Sequence, residues 1–337
     1  MKSLTADDVT RWTVASRASV LATAACVLVL AVGPILFSAN VVDRLTTLFI
    51  YIILAATWNA LAGYGGLVSI GQQGFLGLGA YAAVRLADSG LPPYASLGLG
   101  AVLVAGLAWV ISFFMLKLRD GEFGIGMWVL AELFHLLVNL DTLVQGETGT
   151  SLIALNAFDI ASRRAYTYWF ALACAATILS MLYALLRSST GLAIQAIRDN
   201  EEAAASIGVR VASAKRLIFV LACFGAALAG AVWLASTTTF QPKAFFSVQW
   251  TAYMIFMVLV GGLGSFEGAI LGAVIFFLLE SWFGATGVWY LIGLGASALL
   301  FSLFLPRGLW GLVEKRFDLR LLPLGYRVNP PAKTNTI

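Results

Sequence analysis

At 337 residues, 60% hydrophobic, 11% charged and with a mean hydropathy of +0.90, the chain cannot be an ordinary soluble globule, since soluble domains carry about 25% charge and about half apolar residues. Its net charge of +4 comes from cations gathered at the ends of apolar runs, which is the pattern of membrane topology and argues against a nucleic-acid partner. With roughly 20 apolar residues per span and a dozen to connect them, the length admits about ten transmembrane helices.

In chain order, Lys2, Arg11 and Arg17 precede the first apolar run, 18–37. This run is nearly twice a typical signal-peptide core, so it reads as an uncleaved anchor. The further predicted spans are 45–62, 67–86, 95–116, 123–144, 166–186, 217–238, 248–262, 268–283 and 288–305. The fold class is thus all-α and polytopic, with residues 1–17 a cytoplasmic segment, 18–305 the transmembrane domain and 306–337 a cytoplasmic tail whose Asn329-Pro330-Pro331 end is expected to be mobile. With both termini cytoplasmic, 16 of the 21 Lys and Arg lie inside and Arg44, Arg85, Arg163, Arg164 and Lys243 lie outside. That asymmetry fixes the predicted orientation. Tyr166, Tyr168 and Trp169, and likewise Trp289 and Tyr290, are placed to anchor span ends in the headgroup zone. Cys26, Cys174 and Cys223 all fall in apolar runs without a C-x-x-C pair, so each is expected reduced, buried and inert.

Two Gly-rich segments interrupt the spans: Gly63-Tyr64-Gly65-Gly66-Leu67-Val68-Ser69 and Gly261-Gly262-Leu263-Gly264-Ser265. Both contain Gly-Gly-Leu-x-Ser and both sit on the inner side of the predicted topology, as an internal repeat would. Irregular backbone at membrane depth must be buried in protein or line a cavity. Close helix packing through small residues and a pathway-lining role are both open on this pattern. Asn59, Gln72 and Gln73 flank the first segment, and such amides either bond across helices or face a hydrated path. Glu132 and the only histidine, His135, are three apart and share a helical face. Their pairing reads as a functional site or a structural clamp. Glu280 reads as reaching the interface. The translocation-path candidates are therefore Asn59, Gly65, Gly66, Ser69, Gln72, Gln73, Glu132, Gly261, Gly262, Gly264 and Ser265. The chain has no G-x-S-x-G, H-E-x-x-H or G-x-x-x-x-G-K-[ST], and one His cannot build a His-based metal site, so no enzyme, metal, cofactor or ATP site is expected.

Residues 187–216 form the only long polar run between apolar blocks. Asp199 or Asn200 is placed to cap a short helix, Glu201 and Glu202 fall in its first turn, and Gly208 is placed to end it in a left-handed turn. Arg187, Arg198, Arg210, Lys215 and Arg216 outnumber three acids here, which makes the loop cytoplasmic. Its string Glu202-Ala203-Ala204, three residues, Gly208, nine residues, Ile218 resembles the EAA loop of ABC importer permeases, with Phe219-Val220-Leu221 standing where Leu-Pro is usual. Together with residues 59–81 and 260–273 it resembles the LivM-type permease subunit of branched-chain and hydrophobic amino-acid importers, over roughly 45–306. The resemblance implies a bacterial inner-membrane permease without catalysis of its own and a loop helix, Arg198, Asp199, Asn200, Glu201, Glu202, Ala203, Ala204 and Gly208, that couples to an ATPase. It implies as partners two ABC ATPase subunits, a LivH-type permease subunit and a periplasmic substrate-binding protein, besides membrane lipid. A permease for urea or short amides, and a secondary transporter or channel without an ATPase, are the alternatives.

Overall fold

A computed structural model of the chain describes residues 9–10, 14–317 and 327–328. The expectations for Lys2, Arg11, Arg320, Lys333 and the Asn329-Pro330-Pro331 end lie outside the described residues. A two-residue strand β1 (Val9–Thr10) leads to α1 (Val14–Ala31), and the one-turn α2 (Gly33–Leu36) follows, where Pro34 opens a fresh turn. Next come α3 (Ala39–Asn59), prolonged by a π-turn Ala60–Tyr64, then α4 (Gln72–Asp88), α5 (Pro93–Met115) and α6 (Asp120–Asn139). A connection holding β2 (Thr150–Ser151) leads to α7 (Ile160–Arg187), the short α8 (Ser189–Asp199) and α9 (Glu201–Ser206), and α10 (Val211–Thr237). After β3 (Thr239–Phe240) the chain builds α11 (Pro242–Phe245), α12 (Gln249–Gly261), α13 (Phe266–Phe283), α14 (Val288–Phe304), α15 (Gly308–Phe317) and β4 (Arg327–Val328). The strands form two antiparallel pairs, β1 with β4 and β2 with β3.

Every predicted span contains a helix, and the differences are at the ends. Among the described residues seven helices are long and apolar enough to cross a membrane, and α14 with α15, bent by 41°, makes an eighth. The 17-residue α4 is only about 25 Å long. It begins at Gln72 and not at Leu67, because the Gly-rich segment before it stays non-helical. Conversely α7 begins at Ile160, before the predicted Tyr166, since Asp159 caps it by accepting from the Ser162 N–H at 3.1 Å.

The small-residue helix α10 is the centre of the bundle, touching α3, α4, α5, α7 and α8. Its Ala222, Ala226, Ala227, Ala229 and Ala231 are all fully buried. Backbones meet directly there. A β-carbon on Gly79 of α4 would lie 2.2 Å from the Ala227 carbonyl oxygen, and one on Gly230 would lie 2.0 Å from that of Leu76. Such approach is how helices associate where apolar burial alone gives no drive. Around this centre α5, α6 and α14 turn outward apolar faces, among them Leu103, Val129 and Leu300.

Several side chains do other work than their sequence positions indicate. Tyr168 is fully buried, and its hydroxyl donates to the Leu30 carbonyl at 2.8 Å while the Trp169 indole N–H donates to that of Ala31 at 2.9 Å, so this pair fastens α1 to α7. Tyr290 is likewise buried, whereas Trp289 is 77% exposed. Cys174 and Cys223 are buried, but Cys26 lies on the outward face of α1.

Candidate functional site

The Gly-rich interruptions, far apart in sequence, meet in space. At the first, the π-turn ends with Gly65 and Leu67 N–H groups donating to Ala60 and Leu61 carbonyls, both at 3.0 Å, and Gly66 takes a φ of +69°. The chain then runs extended to Ser69, whose carbonyl accepts from the Trp58 indole at 2.9 Å. At the second, Gly262 takes a φ of +138° and Gly264 one of +74°, and the turn hands over to α13 through Ser265, whose hydroxyl oxygen caps the Gly268 N–H at 3.0 Å. Asn59 joins the two. Its side-chain amide donates to the Ser265 carbonyl and its side-chain oxygen accepts from the Gly264 N–H, each at 2.8 Å, with the side chain fully inside the protein. A β-carbon on Gly63 would lie 2.5 Å from the Gly264 nitrogen, so the two breaks are in backbone contact.

The polar loop closes on this junction. Ser188 caps α8 through the Gly191 N–H at 3.3 Å, and Gly191, Ile194 and Ile197 form the buried stripe of that helix. The stripe carries Arg198 to the bundle, where its Nη1 donates to the Gly63 carbonyl at 2.8 Å while Nε and Nη2 hold Asp199. Sequence reasoning placed Arg198 and Asp199 in the loop but gave no sign of α8 or of this contact. Asn200 then caps α9 by accepting from the Ala203 N–H at 2.9 Å, Glu201 and Glu202 fill its first turn, and Gly208 follows it at a φ of +88°. Of the residues from 201 to 208 only Ala204 is buried, and Ile207 stands 78% exposed. The loop is fixed at its far end by Lys215, 2.5 Å from Glu201, and by Arg216, whose Nε donates to the Ser112 hydroxyl at 3.1 Å and whose guanidinium lies over the Phe113 ring. The loop, both breaks and α15, whose Gly308 would place a β-carbon 2.5 Å from Gly262 Cα, therefore share one end of the bundle.

The remaining path candidates do not join this junction. Gln72 and Gln73 lie in the first turn of α4 and are both buried. Gln73 accepts from the Thr251 hydroxyl of α12, a helix-to-helix bond, while Gln72 lies beside the buried Cys223 thiol. Glu132 lies toward the other end, with its side chain 57% exposed, and is 3.2 Å from His135 Nδ1. The stronger neighbour of His135 is Glu147, whose Oε1 lies 2.8 Å from Nε2 and accepts from Asn139 at 2.7 Å. Glu147 also accepts from the Lys243 N–H at 2.9 Å. Burial of Glu147 works to raise its pKa, but the Asn139 bond, the adjacent imidazole and the Lys243 N–H outweigh it and hold the carboxyl below its ordinary value. Glu280, near the end of α13, is half-buried and accepts from the Tyr51 hydroxyl at 2.5 Å. Glu147 and Tyr51 carried no spacing signal, since each partner comes from a distant element.

Residues 40–306 match the family model described as branched-chain amino acid transport system / permease component. Among curated proteins the chain is 26% identical over 321 residues to the high-affinity branched-chain amino acid transport system permease protein LivM of Escherichia coli K12, covering 87% of this chain and 75% of that one. The LivM of Salmonella typhimurium LT2 matches to the same extent. A probable branched-chain amino acid transport permease protein LivM of Methanocaldococcus jannaschii is 23% identical over 267 residues, covering 68% and 77%. Among solved structures, a metal-chelate type ABC transporter in an inward-facing conformation superposes with a TM-score of 0.45 at 18% identity, over 79% of this chain and 89% of the other.

Proposed function

The chain belongs to the permease-component family of branched-chain amino acid transport systems, and from that premise we propose that it is the LivM-type membrane subunit of an ABC importer for branched-chain or other hydrophobic amino acids. The loop of α8 and α9 is then the ATPase-docking element and lies in the cytoplasm with both termini. Residues 18–305 form the transmembrane permease domain, between a cytoplasmic segment 1–17 and a cytoplasmic tail 306–337. The excess of Lys and Arg on that side supports this orientation, and the pairing of β1 with β4 supports placing the two end segments on one side, whichever it is. The partners on this reading are two ATPase subunits, a LivH-type permease subunit and a periplasmic binding protein, in the inner membrane of a bacterium.

The contact of Arg198 with the Gly63 carbonyl is the observation that carries the mechanical part. The exposed α9, with Ile207 proud of it, offers a partner a capped helix and an apolar tip. A pull on α9 reaches Arg198 through the cap at Asn200, then Gly63, then Asn59 and the second break. Gly-rich backbone is the part of the membrane domain best able to change its dihedrals under such a pull.

The test is uptake of L-leucine into vesicles holding the assembled complex, with ATP inside, together with co-purification of the ATPase. Glu202→Lys with Ile207→Asp is expected to lose the ATPase. Arg198→Gln is expected to keep it and to lower uptake about tenfold, because one charge-assisted hydrogen bond between loop and bundle is gone. Uptake in vesicles that lack any ATPase subunit would establish the secondary-transporter alternative, and ATP-driven uptake of urea but not leucine would establish the amide alternative.

A further inference from the structure

At the end of the bundle opposite the loop, where α3 and α7 begin and α10 ends, lies a partly open cavity of about 300 Å³, at the lower end of the range for small-molecule sites. Its polar lining is sorted by charge. Arg163 and Arg164 stand against a single carboxylate, Asp43, which leaves one cationic charge in excess. Arg164 Nε donates to both Asp43 oxygens, at 2.9 and 3.1 Å, but the pair is open to water, with side-chain exposures of 32% and 55%, so it is weakly held and can exchange partners. Among the described residues the Arg163 guanidinium has one hydrogen bond, a long one of 3.4 Å to the Asn156 side-chain oxygen.

Three of the four hydroxyls that line the cavity are polarised the other way. Thr46 donates to the Val42 carbonyl at 2.9 Å, Thr47 to that of Asp43 at 3.2 Å, and Ser236 to that of Val232 at 3.0 Å. A hydroxyl has one proton to give, so each presents lone pairs alone to the cavity. Acceptor-only hydroxyls beside a carboxylate suit an ammonium group, while the two guanidinium groups suit a carboxylate. Ile160 and Ala235 supply apolar wall between them.

We infer that this cavity is a loading site for the zwitterionic head of an α-amino acid, with the carboxylate toward Arg163 and Arg164, the ammonium toward Asp43 and the threonine hydroxyls, and an aliphatic side chain against Ile160. The inference rests on the permease reading above and assigns the head-group chemistry to named residues. It also gives the outward end of the chain a contact with substrate of its own, apart from whatever a binding protein contributes.

The experiment measures equilibrium binding of radiolabelled L-leucine to the assembled complex in nanodiscs, without binding protein or nucleotide, with 4-methylpentanoate and leucinamide as analogues lacking the ammonium and the carboxylate. The wild type is expected to bind L-leucine saturably. Asp43→Asn is expected to bind L-leucine about tenfold more weakly but 4-methylpentanoate no more weakly than the wild type, since Arg164 is released from Asp43, and Arg163→Gln with Arg164→Gln to weaken L-leucine and 4-methylpentanoate but not leucinamide. The swap Asp43→Arg with Arg164→Asp keeps an ion pair and guards against a folding artefact; a site predicts that it stays about tenfold weak, because the apolar wall no longer matches the reversed head. Absence of saturable leucine binding, full recovery in the swap, or variants that shift binding-protein docking while leucine occupancy is unchanged would each overturn the inference. ATP-driven leucine uptake by the same wild-type complex is scored separately: uptake without cavity binding sinks this site and leaves the permease reading standing, and cavity binding without uptake does the reverse.

Discussion

The two Gly-Gly-Leu-x-Ser segments share four residues of five and build different turns. In each the second Gly has a positive φ, +69° at Gly66 and +138° at Gly262, as a residue without Cβ permits. The paths part at the variable position. Gly264 takes a second positive φ, +74°, and folds the chain straight into α13. Val68, its counterpart, is β-branched and all but barred from that region, so the first segment stays extended and α4 does not begin until Gln72. One side chain thus separates a tight re-entry from an extended crossing. The extended crossing is held by Trp58 on the Ser69 carbonyl and by Gly71, where a β-carbon would sit 1.8 Å from the Met127 carbonyl oxygen. The tight turn is held by Asn59 and by α15.

The largest effect is expected where the two turns touch. In Gly63→Val the added β-carbon would meet the Asn59 side-chain oxygen at 2.3 Å and the Gly264 nitrogen at 2.5 Å, and neither a backbone atom nor a doubly bonded amide can give way cheaply. A cost on the order of 3 kcal/mol follows from such overpacking. Thermal unfolding in detergent should fall steeply and uptake should be lost; a wild-type melting curve would show that the turns are not in contact. Asn59→Leu comes next. It fits the space but removes the Gly264 N–H's side-chain acceptor and leaves the Ser265 carbonyl only its long 3.3 Å bond from the Ala269 N–H, a loss of about 1 to 3 kcal/mol. Asn59→Asp should keep the Gly264 bond and recover part of that loss, a difference visible in the same melting experiment.

Gly264→Val tests the comparison itself by giving the second segment the residue of the first. The backbone must either hold a β-branched residue at a φ of +74°, at about 1 to 3 kcal/mol, or adopt the extended path. Either outcome pulls Gly264 from Asn59. Cross-linking between cysteines placed at Leu263 and Tyr64 should drop relative to the wild-type background, and unchanged cross-linking with unchanged stability would mean that the variable position does not decide the path.

How much of this was legible in the sequence follows from range. The ten apolar runs, the cap at Asn200, the acidic first turn at Glu201 and Glu202 and the positive φ at Gly208 are written within a few neighbouring residues, and the structure has them. The repeat of the Gly-rich segments was visible too. What it could not show is that Asn59 spans 206 positions to reach Ser265, because an Asn at a span end looks the same whether it faces lipid, water or another turn. Arg198 was counted as a topology charge among five in its loop, and only the buried stripe of α8, set by packing, reveals that it points at Gly63. Gln72 and Gln73, adjacent on α4, point about 100° apart, and only the packing shows that Gln73 reaches Thr251 while Gln72 lies in the core. Glu132 drew notice for its spacing from His135, while Glu147, the closer partner, stands in a connection without periodicity.

The smallest expected effect separates the two serines. Ser265 is the N-cap of α13 and accepts from the Gly268 N–H at 3.0 Å, in the geometry that satisfies one of the four orphan donors of a helix start. Ser69 stands at the same place in the repeat but is not a cap, since α4 starts three residues later; its hydroxyl oxygen accepts only from the Gly71 N–H, at 3.3 Å. Ser265→Ala should therefore cost about 1 kcal/mol through the lost cap, and Ser265→Asp should restore it, because an aspartate caps as well and adds a favourable charge at the helix start. At Ser69 the same aspartate would be a fully buried charge ahead of the cap position, which Gly71 holds, with only the long Gly71 N–H bond to offset it, so Ser69→Asp should destabilise more than Ser69→Ala. Opposite signs for aspartate at the two positions, read as shifts of the unfolding midpoint, are the sharpest statement of the difference between the turns. Rescue by aspartate at both would mean that α4, like α13, takes its start from the serine of the repeat.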